Sequence, residues 1–137
     1  MNIGIIGNGF VGNATKILVE NSKHNLLIYD LDPLKCYPEG LQFNDLKKCD
    51  LVFISVPTPM YLDGQCNTSI VESCVNKLKK IIDDNTFIII RSTVPVGLSD
   101  KLGVYFMPEF LTEKNWDYDF RNNKSWIFGM PKENKLF

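Results

Sequence analysis

Residues 2–12 read Asn-Ile-Gly-Ile-Ile-Gly-Asn-Gly-Phe-Val-Gly, and this stretch decides the fold. The run from Asn2 to Gly7 predicts a strand, and the apolar positions after Phe10 recur at helical spacing. A Gly-x-Gly-x-x-Gly sequence between a strand and a helix is typical of a turn that binds a dinucleotide. Gly7 permits the tight turn, Gly9 lets the backbone approach a pyrophosphate, and Gly12 lets the helix lie near the strand. Ordinary turn glycines are the alternative.

Short apolar runs alternate with amphipathic stretches along the rest of the chain, which predicts an α/β fold. The pattern favours a Rossmann-type, doubly wound, mainly parallel sheet with helices on both faces. The predicted strands are 2–7, 25–30, 50–56, 87–91 and 104–107, with shorter ones at 41–43 and near 126–128. The predicted helices are 10–21, 45–48, 98–102 and one capped by Thr68 or Ser69 that holds Ile70, Val71, Cys74, Val75 and Leu78 on one face. Residues 57–67 and 109–120 are predicted to be irregular.

Composition sets the class of protein. The chain has 137 residues, 45% hydrophobic and 23% charged, which predicts one globular domain over 1–137 and excludes a coiled coil. A formal net charge of -1 without blocks of like charge predicts neither a nucleic-acid nor a membrane-surface partner. No apolar run approaches the roughly 20 residues that span a bilayer, and no leader is evident, so we expect a cytoplasmic protein. Four cysteines without Cys-x-x-Cys spacing and a single histidine predict reduced thiols and no metal site.

Asp30 closes the second predicted strand at about the offset from Gly12 where an acid hydrogen-bonds an adenosine ribose. A carboxylate there would repel a 2′-phosphate by about 1–4 kcal/mol, which favours NAD over NADP. Lys35 lies nearby and weakens that preference. Alternatively, Asp30 only caps the turn that follows.

Two loops that contain prolines, Val56–Pro59 and Ser92–Gly97, follow buried strands. Ligands bind at the carboxyl ends of parallel strands, so both loops are placed to enclose a nicotinamide ribose, although ordinary rigid turns are the alternative.

Further on, Glu109 and Glu113 stand four residues apart and would repel each other on a helical turn. A binding site would justify that repulsion, and a solvated helix start is the alternative.

Together, Gly7–Gly12, Val56–Pro59, Ser92–Gly97 and Pro108–Glu113 resemble, in that order, the motifs of the UDP-glucose/GDP-mannose (nucleotide-sugar) dehydrogenase family. The resemblance covers nearly the whole chain, because Asp119-Phe120 and Trp126-Ile127-Phe128-Gly129 resemble the end of the same block. Ser-Thr-Val-Pro-Val-Gly followed by Pro-Glu-Phe-Leu is its most specific part. The resemblance implies an enzyme that oxidises the C6 alcohol of a nucleotide sugar of the UDP-glucose class to the carboxylate. That reaction uses two NAD and passes through a cysteine-bound thioester.

The resemblance also assigns residues to roles. The pyrophosphate would be bound by Gly7, Asn8, Gly9, Phe10, Val11 and Gly12, and the adenosine ribose by Asp30 and Lys35. The rest of NAD would contact Val56, Pro57, Thr58, Pro59, Ser92, Thr93, Val94 and Glu113. The hydrolytic water would be positioned or deprotonated by Thr93 and Glu109, and the sugar would be contacted by Glu109, Phe110, Leu111, Thr112 and Glu113.

The sequence departs from the family in what it lacks. Family members continue into a connecting helix and a C-terminal domain with the catalytic cysteine, both expected to be absent from these 137 residues. No cysteine matches the nucleophile: Cys36 is expected near the adenosine end, Cys49 at the opposite edge, Cys74 within a helix and Cys66 alone in a loop at the ligand edge. We therefore expect an NAD-binding domain that is incomplete as a catalyst and acts with a complementing chain or as a homo-oligomer. A non-catalytic NAD-binding module that works through a partner chain is the alternative. A different NAD(P)-dependent dehydrogenase is a third, which Pro-Glu-Phe-Leu disfavours.

Overall fold

Five parallel strands form the centre of the structure, a computed structural model that describes residues 1–131. The strands are β1 (Asn2–Ile6), β2 (Asn25–Tyr29), β3 (Leu51–Ile54), β4 (Phe87–Ile90) and β5 (Tyr105–Phe106). The α-helices are α1 (Phe10–Lys16), α2 (Ser69–Leu78), α3 (Leu98–Leu102) and α4 (Trp116–Asn122), and 3-10 helices cover Pro33–Lys35 and Phe43–Lys48. The predicted α/β class and the parallel sheet are confirmed.

The strand order β2-β1-β3-β4-β5 places the start of the chain inside the sheet. β1 pairs with β2 on one side and with β3 on the other, so the order in which strands are added to the sheet reverses between β1 and β3. Loops that leave the two strands at such a switch point diverge and open a crevice at their carboxyl ends. The Gly7–Gly12 loop and the loop after β3 therefore form the two sides of this crevice.

Each face of the sheet carries its own core, because successive side chains of a strand point to opposite faces. Ile5 and Ile89 belong to the face where Phe53 and Met107 are buried. Residues of β1 and β4 with the opposite orientation, Ile6, Ile88 and Ile90, pack with Val71, Val75 and Leu78 of α2. The sheet is thus buried on both faces, which explains why its strands read as nearly continuous apolar runs.

The first helix is shorter than the periodicity predicts. The α-helix ends at Lys16, and the following amides of Ile17 and Leu18 bond to the carbonyls of Ala14 and Thr15, three residues back. The predicted helix over 10–21 is therefore wrong in its last turn, which tightens before Asn21 takes a φ of 59°.

Other local predictions are corrected too. The predicted strand at 41–43 is absent, because Gln42 caps the 3-10 helix and its amide donates to the Asp45 carboxylate at 2.9 Å. The strand expected near 126–128 reduces to one antiparallel bridge between Gly129 and Phe106. The irregular stretch 109–120 contains the start of α4. Ile70 of α2 is 37% exposed and so does not share the buried face.

Candidate cofactor crevice and its surroundings

The Gly7–Gly12 loop is fixed by close backbone approaches. Gly7 has a φ of 90°, and a Cβ placed on it would lie 2.4 Å from the carbonyl oxygen of Ser55 at the end of β3. A Cβ on Gly12 would lie 2.0 Å from the carbonyl oxygen of Gly7. A Cβ on Gly9 would meet nothing within 4 Å, so this position faces open space at the start of α1. The three glycines therefore differ in the way the motif predicts: two permit close packing and one leaves room for a ligand.

Asp30 connects the end of β2 to this loop. Its Oδ2 accepts a hydrogen bond from the Asn8 amide at 2.7 Å, and its Oδ1 accepts one from the Asp32 amide at 2.9 Å. The Asn8 side chain donates to the Lys35 carbonyl at 2.8 Å, while its Oδ1 is buried without a partner within residues 1–131. Asp30 thus caps the following turn, as the alternative interpretation had it, and also holds the glycine loop. Asp30, Asn8 and Lys35 come together at one end of the crevice.

The loops after β3 and β4 are tied to each other. Ser92, which is 6% exposed, donates its hydroxyl hydrogen to the Val56 carbonyl at 2.7 Å. The Cys66 thiol lies 3.7 Å from the carbonyl oxygen of Thr93. Ser55, directly before Val56, has a buried Oγ with no partner in the described chain. The ends of β3 and β4 therefore meet at the same edge as the glycine loop, as the sequence predicts.

The stretch Pro108–Glu113 is extended, and the helical turn considered for Glu109 and Glu113 is absent. The Glu109 Oε2 accepts a hydrogen bond from the Leu111 amide at 2.9 Å. The amide and hydroxyl of Thr112 donate to Asp119 at 2.8 and 2.7 Å, and these two bonds lower the pKa of the Asp119 carboxyl. Within residues 1–131, no hydrogen bond joins Glu113 to the Gly7–Gly12 loop, so the cofactor contact predicted for Glu113 stays a prediction.

The surroundings of the cysteines agree with the places in the fold that the sequence predicts for them. Burial raises the pKa of the Cys49 thiol to about 11, with the neighbouring Asp50 charge adding to the effect. Burial also raises the pKa of Cys74, which lies within α2. Cys36 Sγ lies 3.4 Å from the Asp30 carbonyl, at the predicted adenosine end. All four cysteines are free thiols, and among the described residues only Cys66 has a hydrogen bond to the loop after β4.

Sequence reasoning missed Arg91, which it treated only as the end of a strand. Its side chain is 1% exposed and lies on the face of the sheet that carries Ile89 and Met107. Burial lowers the pKa of Arg91 to about 10, and the charge of Glu109 opposes that shift. A basic residue directly after a buried Ile-Ile-Ile run, at the ligand edge, was the available signal.

This arrangement, a glycine loop opposite the carboxyl ends of parallel strands with an acid after β2, defines a Rossmann-type dinucleotide-binding domain. The model of the UDP-glucose/GDP-mannose dehydrogenase family, NAD binding domain, matches residues 41–136. The chain belongs to the UDP-glucose/GDP-mannose dehydrogenase family and holds its NAD-binding domain. The matched range begins after the glycine loop, so the loop is an observation independent of that match.

Relatives of known sequence and structure agree with this family. UDP-glucose 6-dehydrogenase YwqF of Bacillus subtilis is 25% identical over 97% of this chain and 40% of its own length. The uncharacterized protein MJ1054 of Methanocaldococcus jannaschii is 30% identical over 98% of this chain and 19% of its own length. A GDP-mannose dehydrogenase from Pseudomonas aeruginosa, solved as a ternary complex, shares the fold with a TM-score of 0.81, 21% identity and coverage of 95% of this chain and 41% of that one. This chain thus spans less than half the length of these relatives.

Two further observations bear on partners. No helix of the described 131 residues has the length and apolar character that a membrane crossing needs. The same part of the chain holds no group of three or more His, Cys, Asp or Glu side chains arranged to bind a metal ion.

Proposed function

We propose that this chain is the NAD-binding part of a dehydrogenase that oxidises the C6 alcohol of a nucleotide sugar, of the UDP-glucose class, to the uronate with two NAD. The observation that carries the proposal is the Gly7–Gly12 loop, whose three glycines have the distinct environments that a pyrophosphate turn needs. NAD supplies the hydride acceptor when it is bound. Membership of the family supports the reaction class. A cytoplasmic location stays a prediction.

The crevice fits NAD in two respects. A side chain on Gly9 would occupy open space at the start of α1, where the first amides of the helix have no partner within the helix. In addition, Asn8 Oδ1 and Ser55 Oγ are buried polar atoms without partners in residues 1–131, one on each side of the switch point. Hydroxyl groups of a bound ribose could satisfy such atoms, because buried polar groups are otherwise nearly always hydrogen-bonded.

In this proposal the residues divide by their place along the crevice. The glycine loop with Asn8, Phe10 and Val11 holds the pyrophosphate, and Asp30 with Lys35 binds the adenosine ribose. The nicotinamide half contacts the loops after β3 and β4, namely Val56, Pro57, Thr58, Pro59, Ser92, Thr93 and Val94, together with Glu113. Thr93 and Glu109 act on the hydrolytic water, and Glu109, Phe110, Leu111, Thr112 and Glu113 contact the sugar.

The catalytic nucleophile is the group for which this chain offers the weakest candidate. Cys66 is the one cysteine within residues 1–131 with a hydrogen bond to the Thr93 loop, 3.7 Å from its thiol to the Thr93 carbonyl oxygen, and that bond brings it to no reacting atom. Catalysis requires the reacting groups to be held within about 3–3.5 Å of each other. We therefore expect the nucleophile to come from outside residues 1–137, on a further domain, a complementing chain or another copy. The same observation favours a second candidate function, a non-catalytic NAD-binding module that acts through a partner chain.

Calorimetric titration of the purified chain with NAD and NADP tests the cofactor site. NAD should bind more tightly than NADP, Gly9→Val should abolish binding, and Asp30→Ala should weaken it by about tenfold or more, the equivalent of one charge-assisted hydrogen bond. Asp45→Ala is the matched control, because Asp45 also accepts a backbone amide bond but belongs to the 3-10 helix Phe43–Lys48. A folded chain that binds neither nucleotide would overturn the proposal.

Turnover separates the two candidate functions. We expect no NADH from the chain with UDP-glucose or GDP-mannose alone, and NADH once the missing half is supplied as a separate chain. Turnover by the chain alone that Cys66→Ser abolishes would contradict the expectation of incompleteness. Binding of NAD without turnover under any complementation would favour the non-catalytic module.

A further inference from the structure

Asn13 joins the first turn of α1 to the glycine loop that precedes it. Its side-chain nitrogen donates to the Asn8 carbonyl at 3.2 Å and to the Gly9 carbonyl at 3.0 Å. Two carbonyl oxygens beside one side-chain group are satisfied only by a donor, so the nitrogen of Asn13, and not its oxygen, faces the loop. The Gly-x-Gly-x-x-Gly pattern ends one residue earlier, at Gly12, and gives Asn13 no role.

The two loop carbonyls differ in how firmly they are held. The Gly9 carbonyl also accepts the backbone amide of Asn13 at 2.9 Å, which is the first hydrogen bond of the helix. The Asn8 carbonyl accepts no other hydrogen bond within residues 1–131, so the Asn13 side chain alone fixes it. Asn13 therefore acts chiefly on one peptide group, the one that joins Asn8 to Gly9.

Fixing these carbonyls also fixes the direction of two amide hydrogens, because the C=O and N–H of a trans peptide point in opposite directions. Both loop carbonyls turn toward Asn13, so the N–H groups of Gly9 and Phe10 turn away from that side chain. In the part of the chain that the structure describes, neither amide has an acceptor. Both are therefore available to an anion that enters the crevice.

Glycine allows the Asn8–Gly9 peptide to rotate. Gly9 has a φ of -79°, and a flip of this peptide by half a turn would change that angle to about 100°. A positive φ is accessible to glycine and strained for other residues. In the flipped state the Gly9 amide would point toward Asn13, and the Asn8 carbonyl oxygen would face the crevice. Its partial negative charge would repel a phosphate, so the group that holds this carbonyl decides which face the loop presents.

We propose that Asn13 is a positioning residue for the cofactor: it locks the Asn8–Gly9 peptide so that the Gly9 amide faces the pyrophosphate. The inference rests on the proposed function, because only a bound pyrophosphate gives this amide a partner. Loss of the lock lowers the fraction of molecules able to bind, and the measured affinity falls by the same factor. One lost hydrogen bond of ordinary strength corresponds to a factor of about ten.

Titrations with ADP and with adenosine, followed in ¹⁵N-correlated NMR spectra, separate this lock from a general effect on folding. Asn13→Ala should raise the dissociation constant of ADP about tenfold. The dissociation constant of adenosine should stay unchanged, because adenosine carries no phosphate. A loss of folded protein would weaken both ligands by the same factor. ADP should also move the Gly9 amide signal of the natural sequence, and it should move that signal less in Asn13→Ala, where the peptide samples both orientations.

Asn122→Ala is the matched control, because it removes the same kind of bond at another place. The Asn122 side chain donates at 2.8 Å to the carbonyl of Tyr118, four residues back in α4. This bond does not involve the glycine loop, so its removal should leave the affinities for ADP and adenosine unchanged.

Asn13→Thr distinguishes the two bonds of Asn13. The hydroxyl of Thr15 donates to the carbonyl four residues back in the same helix at 2.8 Å. A threonine in place of Asn13 can therefore keep the bond to Gly9, but it cannot reach Asn8. We expect Asn13→Thr to bind ADP as weakly as Asn13→Ala.

Each outcome supports or contradicts the lock. Unchanged ADP affinity in Asn13→Ala or Asn13→Thr overturns the inference and leaves the proposed cofactor site intact. Equal losses of ADP and adenosine affinity also contradict it, because the side chain would then only support the fold. If the variants do not fold, the natural sequence decides, since ADP that leaves the Gly9 signal in place rules the lock out. A natural sequence that binds neither NAD nor ADP overturns the proposed cofactor site and this inference with it.

Discussion

Replacing Gly12 by alanine should destabilise the domain by about 2 kcal/mol, whereas the same change at Gly9 should leave its stability nearly unchanged. The Cβ of an alanine at Gly12 would lie 2.0 Å from the Gly7 carbonyl oxygen, and ordinary contacts begin at 3.4 Å. α1 would therefore have to move by about 1.4 Å against backbone that cannot rotate away. Overpacking of this kind costs about 1–3 kcal/mol or more, and alanine regains roughly 1 kcal/mol of helix propensity. Because the obstacle is backbone, we take the upper part of that range.

Gly9→Ala is the matched control, since Gly9 has a φ of -79° and a ψ of -162°, which any residue adopts. Urea unfolding followed by circular dichroism measures both variants, and a loss of 2 kcal/mol corresponds to a fall in Tm of roughly 6–10 °C. The reasoning is refuted if Gly12→Ala unfolds within about 0.5 kcal/mol of the natural sequence. Equal destabilisation by Gly9→Ala would refute it as well, because the open space at Gly9 would then not exist.

Three further changes follow from individual contacts. Ser92→Ala should cost about 1–3 kcal/mol in urea unfolding, because it leaves the Val56 carbonyl without its 2.7 Å hydrogen bond. Stability should fall by about 2 kcal/mol as the pH rises from 9 to 11, because the unfolded chain releases the Cys49 proton near pH 9 while burial raises the folded pKa of that thiol to about 11. Cys49→Ala should show a smaller alkaline loss in urea titrations at each pH, and what remains comes in part from Cys74, whose pKa is also raised by burial. Asp30→Asn should weaken the hold on the Asn8 amide and lower NAD affinity in calorimetry, while a gain in affinity would contradict the role given to the carboxylate.

The elements that the sequence predicts best are those that depend on local signals. The strand at β1, the glycine loop and the helix Leu98–Leu102 follow from a short apolar run, three glycines and flanking glycines. The last turn of α1 and the segment at 41–43 were wrong because apolar spacing does not distinguish i→i-3 from i→i-4 bonding, or an apolar cap from a short strand. Those choices depend on contacts with residues distant in sequence.

The candidate site divides along the same line. A residue type at a motif position predicted that Asp30 binds a ribose, which stays a prediction, whereas the structure shows its carboxylate capping the following turn and accepting the Asn8 amide of the glycine loop. Arg91 could not be identified in this way, because its burial depends on Phe120 and Met107, which reach it from other parts of the chain. Sequence reasoning finds residues whose role depends on their neighbours in sequence, and it misses residues whose role depends on tertiary packing.

The crevice is held open by contacts between neighbouring strand ends. Asp30 after β2 holds the glycine loop after β1, that loop packs against Ser55 after β3, and Ser92 after β4 bonds to the adjacent Val56. Each of these contacts uses backbone atoms on at least one side, so the loops cannot relax independently. A crevice fixed in this way loses little conformational entropy when a ligand enters, and this raises affinity without any added contact. The contacts at Asp30 and Ser92 should therefore affect NAD affinity as well as stability, even where their side chains do not touch the cofactor.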